Sequence, residues 1–213
     1  MVAGVPVRRD PFRPTFAIAL AFGILLFRAL LGLMPRPPAI FVTSRLTGRM
    51  PRVDDGPAIF ASYANDPAVT RYLSWRAYDR VEPLNAFLRE CVAHWEKGDG
   101  HLAWLLCLKG TDTPIGSIGI TLEGGGKAMF GYVLARKFWG HGFAAEALSY
   151  LVAWALAQPT MHRAWAFCDV ENAASVRVME KAGMTREGVL RRWHICPTLS
   201  PEPRDCVVCA KVK

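Results

Sequence analysis

The sequence predicts an α+β domain with mixed α/β character. Three observations lead to this fold class. Strand-like apolar runs separated by short turns fill residues 101–135, without a helix between them. A long helical pattern covers residues 142–158, and a strand, a second helix and two further strands follow it. A meander of strands followed by one β-α-β crossover is typical of α+β or mixed domains.

The first part of the chain predicts one strand and two helices, with a short turn or helix between the two helices. Residues 43–50 form the first predicted strand. The run Asp-Asp-Gly-Pro at residues 54–57 marks a helix start, because acidic residues and an early proline favour the first turn. A further short helix or turn begins at the Asn-Asp-Pro run of residues 65–67. Residues 82–95 place apolar side chains on one side of a helix that ends in glycine at position 98.

The second part predicts a meander and then alternating elements. Gly124, Gly125 and Gly126 form the turn between two of the strands. Pro159 ends the long helix, and Gly183 ends the shorter one. The predicted strands span 101–109, 114–123, 128–135, 162–170, 186–196 and 204–211, and the second helix spans 172–181.

A cationic, glycine-containing turn connects the third strand of the meander to the long helix. Gly140 and Gly142 lie where the chain leaves the strand and enters the helix, with Arg136, Lys137 and His141 beside them. A helix start carries unpaired N–H groups and partial positive charge, and glycine lets a ligand approach this backbone closely. These features predict a pyrophosphate cradle. The alternative is a tight turn with no ligand.

The residues of this turn resemble a known signature. The run Lys137-Phe-Trp-Gly140-His-Gly142-Phe-Ala144 resembles the acetyl-CoA signature Gln/Arg-x-x-Gly-x-Gly/Ala of GNAT-type N-acetyltransferases. Lys137 stands where the family more often has Gln or Arg. The run is most similar to the branch that acetylates the N-termini of ribosomal proteins. The resemblance covers about residues 40–211, which include an opening T-x-R-L-x-L-R pattern with Gly48 in place of its second Leu.

This resemblance implies the GNAT fold and its co-substrate. The fold is a central, mostly antiparallel twisted sheet, flanked by helices, in which two splayed strands receive pantetheine. Acetyl-CoA is the implied co-substrate, with no metal. The implied cofactor-binding residues are Leu134 through its backbone, then Lys137, Trp139, Gly140, His141, Gly142, Phe143, Ala144, Asn172 and Ser175.

Three residues are candidates for proton transfer. The run Glu171-Asn172-Ala-Ala-Ser175 resembles the E-N-x-x-S run of the family, and Ser175 is the candidate proton donor to the leaving thiolate. Many family members carry a general-acid Tyr four residues later, but Met179 stands here and cannot donate a proton. His194 is the candidate general base, because imidazole accepts a proton near neutral pH; Asp169 is a second candidate. The alternatives are helix capping by Asn172 and a non-catalytic His194.

Tyr72 and Trp75 are the candidate substrate contacts. The resemblance implies that their segment lines the acceptor groove, and the alternative is ordinary aromatic packing.

Residues 1–36 form an N-terminal apolar extension that precedes the predicted acetyltransferase domain of residues 37–213. Residues 15–34 are a 20-residue stretch with one charge, Arg28, and are long enough for a membrane span. Arg8, Arg9 and Arg13 in front also suggest a signal peptide, but no convincing cleavage site follows. A membrane-associated helix, a spurious extension upstream of a start at Met34, and other roles remain open.

Composition limits the partners and the compartment. The net charge of 26 − 18 = +8 suits a polyanionic ligand such as CoA, and no basic run interleaved with aromatics indicates nucleic acid. The six cysteines show no paired framework. Cys206 and Cys209 lie three apart in a strand, where side chains point to opposite faces. Reduced thiols therefore predict a cytoplasmic protein, with membrane association through residues 15–34 as the alternative.

The sequence thus predicts an enzyme that transfers acetyl from acetyl-CoA to a primary amine. A protein or peptide N-terminal α-amine is preferred as acceptor over a small-molecule amine. A non-catalytic acyl-CoA-binding module is the rival from another class, and the oligomeric state is left open.

Overall fold

The computed structural model describes residues 35–213, and residues 36–213 form a compact unit. The predictions for residues 15–34, a membrane-associated helix among them, lie outside the described residues. Among the helices of residues 35–213, none is both long and apolar enough to cross a bilayer.

A single open sheet of eight strands organises this unit. Its strand order is β1-β2-β3-β4-β5-β6-β8-β7. All neighbours are antiparallel except β5 and β6, which are parallel. The strands are β1 (Ile40–Val42), β2 (Leu46–Arg49), β3 (His101–Leu108), β4 (Pro114–Glu123), β5 (Lys127–Leu134), β6 (Arg163–Asp169), β7 (Thr185–His194) and β8 (Arg204–Val212).

Five helices of this unit flank the sheet. Gly98 ends the helix Glu82–Lys97 in the left-handed conformation (φ 74°) that glycine adopts without strain. The helices are α1 (Gly56–Ile59, continued by a π-helical turn, Phe60–Ala64), α2 (Pro67–Thr70), α3 (Glu82–Lys97), α4 (Phe143–Ala157) and α5 (Ala173–Lys181).

Two apolar clusters cover the two faces of the sheet. Helices α4 and α5 pack on one face, where Leu148, Leu151 and Met179 are fully buried. Helices α1 and α3 pack on the other face, with Ile59 and Leu88 in that cluster. Helices α1 and α3 contact the β3–β5 part of the sheet, so the two faces are covered by different elements.

The predicted single strand at residues 43–50 is wrong. The chain forms a hairpin instead, in which β1 pairs with β2 from Ile40 opposite Arg49. The ring of Phe41 lies over Gly48, where an added Cβ would come within 2.1 Å of the ring. Gly48 replaces the Leu of the family pattern at the position where this ring packs.

The other predicted elements are confirmed with ends shifted by one or two residues. The three glycines at 124–126 form the β4–β5 turn, and two of them, Gly125 and Gly126, have positive φ. The α+β prediction is confirmed, including the splayed pair, because β5 and β6 pair over only three residues each.

Candidate active site

The gap between β5 and β6 is the centre of the site. These strands pair only between Lys127–Met129 and Arg163–Trp165, and beyond that they separate. Strand β4 stays paired with β5 as far as Leu134. Because the Ala135 N–H donates to the Ile115 carbonyl on β4, the alternating peptide groups of Tyr132 and Leu134 point away from β4, into the gap.

The turn after β5 is braced by its own aromatic side chains. The Trp139 indole Nε1–H donates to the Leu134 carbonyl (2.7 Å), and His141 Nδ1 lies 2.8 Å from the Trp139 carbonyl. The Leu134 carbonyl is therefore hydrogen-bonded to Trp139, and the Leu134 N–H is the remaining group of that residue that faces the gap. Through these contacts Trp139 and His141 hold the turn in shape. This role is separate from the cofactor contact that the sequence predicts for them.

The start of α4 fits a phosphate ligand. Gly140 and Gly142 have φ of 79° and 80°, a left-handed conformation that other residues adopt with strain. Gly142 is the N-cap and supplies no side-chain acceptor to the helix. The first intrahelical bond runs from the Glu146 N–H to the Gly142 carbonyl, so the preceding N–H groups, including those of Phe143 and Ala144, have no acceptor within the helix. The fit to a pyrophosphate rests on these donors.

Arg45 and Glu146 tie the β1–β2 turn to this cradle, and the sequence did not predict their role. Glu146 Oε1 accepts hydrogen bonds from Thr43 Oγ1 (2.6 Å), Ser44 Oγ (2.9 Å) and the Arg45 N–H (2.9 Å), and its Oε2 accepts from Arg45 Nε (2.7 Å). Burial acts to raise the pKa of Glu146, but these hydrogen bonds outweigh it and lower the pKa to about 2.

The guanidinium of Arg45 thereby comes to the edge of the cradle. It donates to the His141 carbonyl (2.9 Å), and a Cβ at Gly142 would lie 3.5 Å from its Nη2. A fixed cation at this place adds to the positive potential of the helix start. The signal in the sequence was the T-x-R-L pattern, which predicted only a strand.

The start of α5 places a hydroxyl pair beside the gap. Asn172 caps the helix, because its Oδ1 accepts from the Ser175 N–H (3.1 Å). Ser175 Oγ lies 2.7 Å from the Tyr132 hydroxyl, which also lies 3.1 Å from the Ser175 carbonyl. Burial raises the pKa of Tyr132, so its phenol stays protonated at neutral pH. Sequence reasoning considered position 179 for a tyrosine and missed Tyr132; Met179 is buried.

His194 lies on the other face of the sheet from Ser175. Its ring packs edge-on against Phe167 (5.1 Å between centroids), whose neighbours in β6, Ala166 and Cys168, face α4 and α5. Burial lowers the pKa of His194 from its ordinary value of 6.5, so the ring is neutral at pH 7. Ser175 and His194 therefore lie on opposite faces of the sheet.

Asp169 does not fit the role of a base. It is 1 % exposed, and its carboxylate accepts from Arg204 Nε (2.5 Å) and the Glu171 N–H (2.9 Å). Burial acts to raise its pKa, but these hydrogen bonds outweigh it and hold the pKa below the usual range. The side chain is an ionised structural partner of Arg204.

A cavity of about 360 Å³ lies between the α1–α3 face and strands β3–β5. Trp75 lines it, whereas Tyr72 does not; the Tyr72 carbonyl accepts from Cys196 Sγ (3.5 Å) in the β7–β8 connection. Gly131, Tyr132 and Val133 belong to its wall, so the cavity adjoins the β5 edge of the gap. The arrangement offers a phosphate cradle, a gap for an extended chain and a pocket on the far side.

The profile of the acetyltransferase (GNAT) domain matches residues 45–185, more than half of the chain. The chain belongs to the GNAT acetyltransferase family. The uncharacterized N-acetyltransferase YoaA of Bacillus subtilis (strain 168) is 31 % identical over 156 residues, which are 72 % of this chain and 87 % of YoaA.

Solved GNAT structures share the fold. RimL, a ribosomal L7/L12 α-N-protein acetyltransferase in complex with coenzyme A, superimposes with a TM-score of 0.71 at 21 % identity, over 81 % of this chain and 97 % of RimL. The microcin C7 self-immunity acetyltransferase MccE, in complex with acetyl-CoA and AMP, superimposes with a TM-score of 0.73 at 20 % identity. The match covers 86 % of this chain and 99 % of MccE.

This GNAT chain is an acetyl-CoA-dependent acetyltransferase. Within residues 35–213 no cluster of three His, Cys, Asp or Glu side chains has the arrangement of a metal site. The six cysteines are free and buried. Cytoplasmic location, with membrane association as its alternative, stays a prediction.

Proposed function

We propose that this GNAT enzyme acetylates the α-amine of a protein or peptide N-terminus. The observation that carries the proposal is the Ser175–Tyr132 hydroxyl pair at the gap, with an acceptor cavity adjoining the same strand. The α-N-protein acetylation for which RimL is named supports this substrate class. A small-molecule amine is the second candidate, because the cavity is only about 360 Å³ and MccE, with the same fold, was solved with AMP.

Separate groups of residues hold the pyrophosphate and the pantetheine arm of acetyl-CoA. Bound acetyl-CoA supplies an acetyl group already activated as a thioester. The N–H groups around Gly140, Gly142 and Ala144 hold its pyrophosphate, with Lys137 and Arg45 adding positive charge. The Tyr132 and Leu134 peptide groups in the gap orient the pantetheine arm, and Asn172 fixes the start of α5.

Ser175 donates the proton that the departing thiolate takes up. Tyr132 returns a proton to the serine hydroxyl, because its protonated phenol lies 2.7 Å from Ser175 Oγ. The thiolate gains a proton, Ser175 recovers one from Tyr132, and Tyr132 recovers one from solvent. The proton released by the acceptor amine goes to His194, which passes it to solvent. This relay replaces the tyrosine that Met179 cannot provide.

The proposal is tested with a pair of peptides and isotopically labelled acetyl-CoA. One peptide has a free N-terminus and no lysine, and the other has a blocked N-terminus and one lysine. We expect mass spectrometry to find the label only on the first. Label on small amines but on neither peptide would assign the enzyme to the second candidate function.

His194 is proposed to accept the proton of the acceptor amine. Because burial lowers its pKa below 6.5, the neutral form predominates at pH 7, and kcat/KM should fall on acidification below pH 6.5. His194→Gln should remove this acidic limb. Stability changes in the same direction, because the unfolded state binds the proton more tightly. Melting curves at each pH therefore serve as the control, and an unchanged limb in the variant would exclude His194 as the base.

We also propose that residues 37–213 are the acetyltransferase domain. A chain that begins at Met34 is expected to fold and to gain melting temperature with acetyl-CoA as the full chain does, because residues 36–213 form a compact unit. Thermal melts of both chains with and without acetyl-CoA check this. Aggregation of the short chain alone would show that the extension contributes to the core.

A further inference from the structure

The acceptor cavity has an uncharged wall. Among the described residues that line it there is no Asp, Glu, Lys or Arg. His101 is the one imidazole among them, and burial, with His94 nearby, lowers the pKa of that ring, so it is neutral at pH 7. Burial also raises the pKa of the Tyr63 and Tyr78 phenols, which stay protonated. At neutral pH the described wall of the cavity therefore carries no formal charge.

The lining combines aromatic and aliphatic side chains. Trp75 and Tyr78 pack against each other with ring centroids 5.4 Å apart. Ile59, Leu84 and Leu88 complete the wall opposite the sheet. A cation would keep few hydration partners among the aliphatic groups, and a buried charge without a partner is strongly disfavoured. An apolar group gains from the same surroundings.

The floor of the cavity is open at one strand position. Gly131 lies in β5, and a Cβ built there meets no heavy atom within 4 Å, so the space above it belongs to the cavity. Gly119 differs, because a Cβ there would come within 2.2 Å of His101 Nε2. Gly131 is next to Tyr132, whose peptide group faces the gap, so the open position lies where acceptor and acetyl group have to meet.

We propose that the cavity binds an uncharged apolar group of the acceptor, of phenyl or indole size, attached close to the reacting amine. The inference rests on the proposed function and adds the substrate class to it. The cavity volume of about 360 Å³ lies in the range of small-ligand pockets, which are mostly apolar with a few polar groups. An amine held against this wall also loses hydration, which favours its neutral, nucleophilic form.

Five amino-acid amides with the same α-amine test the inference: phenylalaninamide, tryptophanamide, alaninamide, argininamide and the α-amide of aspartic acid. Release of free CoA gives kcat/KM for each. The phenylalanine and tryptophan amides are expected to exceed alaninamide by about 10-fold or more, as apolar side-chain discrimination allows. The arginine and aspartic acid amides should not exceed alaninamide. A preference for either charged amide, or equal values for all five, would overturn the proposal.

Filling the cavity provides the matched variant. Gly131→Val adds a side chain into the open space at a strand position without positive φ. It should lower kcat/KM for phenylalaninamide by about 10-fold relative to kcat/KM for alaninamide. Gly188→Val is the control, because Gly188 is equally open but lies in β7, outside the cavity. An equal loss for both amides in Gly131→Val would contradict the assignment.

Calorimetry with the CoA-loaded enzyme separates this inference from the proposed function. If phenylalaninamide binds more tightly than argininamide but no amine is acetylated, the proposed function fails and the apolar cavity stands. If amines are acetylated without side-chain preference in binding or turnover, the function stands and the cavity assignment is wrong.

Discussion

Replacement of Ser175 by alanine is expected to lower kcat by about 10²–10⁴-fold, the usual contribution of a positioned proton donor. The Kd of acetyl-CoA should stay close to that of the parent enzyme, because the hydroxyl acts on the leaving thiolate. Steady-state kinetics and calorimetry measure the two quantities. The fold should tolerate the change, since the Tyr132 hydroxyl keeps the carbonyl of residue 175 as a partner at 3.1 Å.

Two further variants decide whether the effect comes from the hydroxyl pair. Tyr132→Phe removes the partner of Ser175 Oγ and should lower kcat by about 10-fold, the equivalent of one hydrogen bond of ~1.4 kcal/mol. Ser149→Ala is the matched control, because Ser149 donates one hydrogen bond within α4 (2.7 Å to the Ala145 carbonyl), outside the gap. Near-normal turnover in Ser175→Ala would leave proximity and water as the means of transfer.

Gly142→Asp is expected to weaken acetyl-CoA binding by about 100-fold or more, since two charge-assisted hydrogen bonds at the low end of their range, ~1.5 kcal/mol each, together contribute ~3 kcal/mol. Gly142 is the N-cap of α4, and an Asp there would accept the helix N–H groups itself and repel the pyrophosphate. The shift in melting temperature caused by acetyl-CoA, or calorimetry, measures the loss.

The controls for this variant separate charge, backbone strain and position. Gly142→Asn adds a side chain of similar size at the same φ of 80° without the charge, so its loss should be smaller. Gly124→Asp adds the same charge at the β4–β5 turn, where there is open space, and should keep parental affinity. A Gly142→Asp variant with an undiminished ligand-induced shift would place the pyrophosphate elsewhere.

The sequence predicts those parts of the fold that depend on local patterns. Glycine turns, helix caps and strand periodicity act within a few residues, so the meander, α4 and the cradle at Gly140 and Gly142 follow from them. The sequence did not predict the β1–β2 hairpin. Its packing of Phe41 over Gly48 is a contact that the pattern of residues 40–49 does not indicate.

The remaining parts of the site depend on contacts between distant residues. Arg45 and Glu146 are 101 positions apart, and Tyr132 and Ser175 are 43 apart. The sequence alone does not bring either pair together. Likewise the uncharged character of the cavity arises only when α1, α3 and three strands enclose it.

A crystal structure of the enzyme with acetyl-CoA tests the central claim most directly. We expect the pyrophosphate at the N–H groups between Gly140 and Ala144, the pantetheine arm in the β5–β6 gap, and the sulfur within hydrogen-bond reach of Ser175 Oγ. A pyrophosphate bound away from the start of α4, or a sulfur on the far side of the sheet from Ser175, would contradict it.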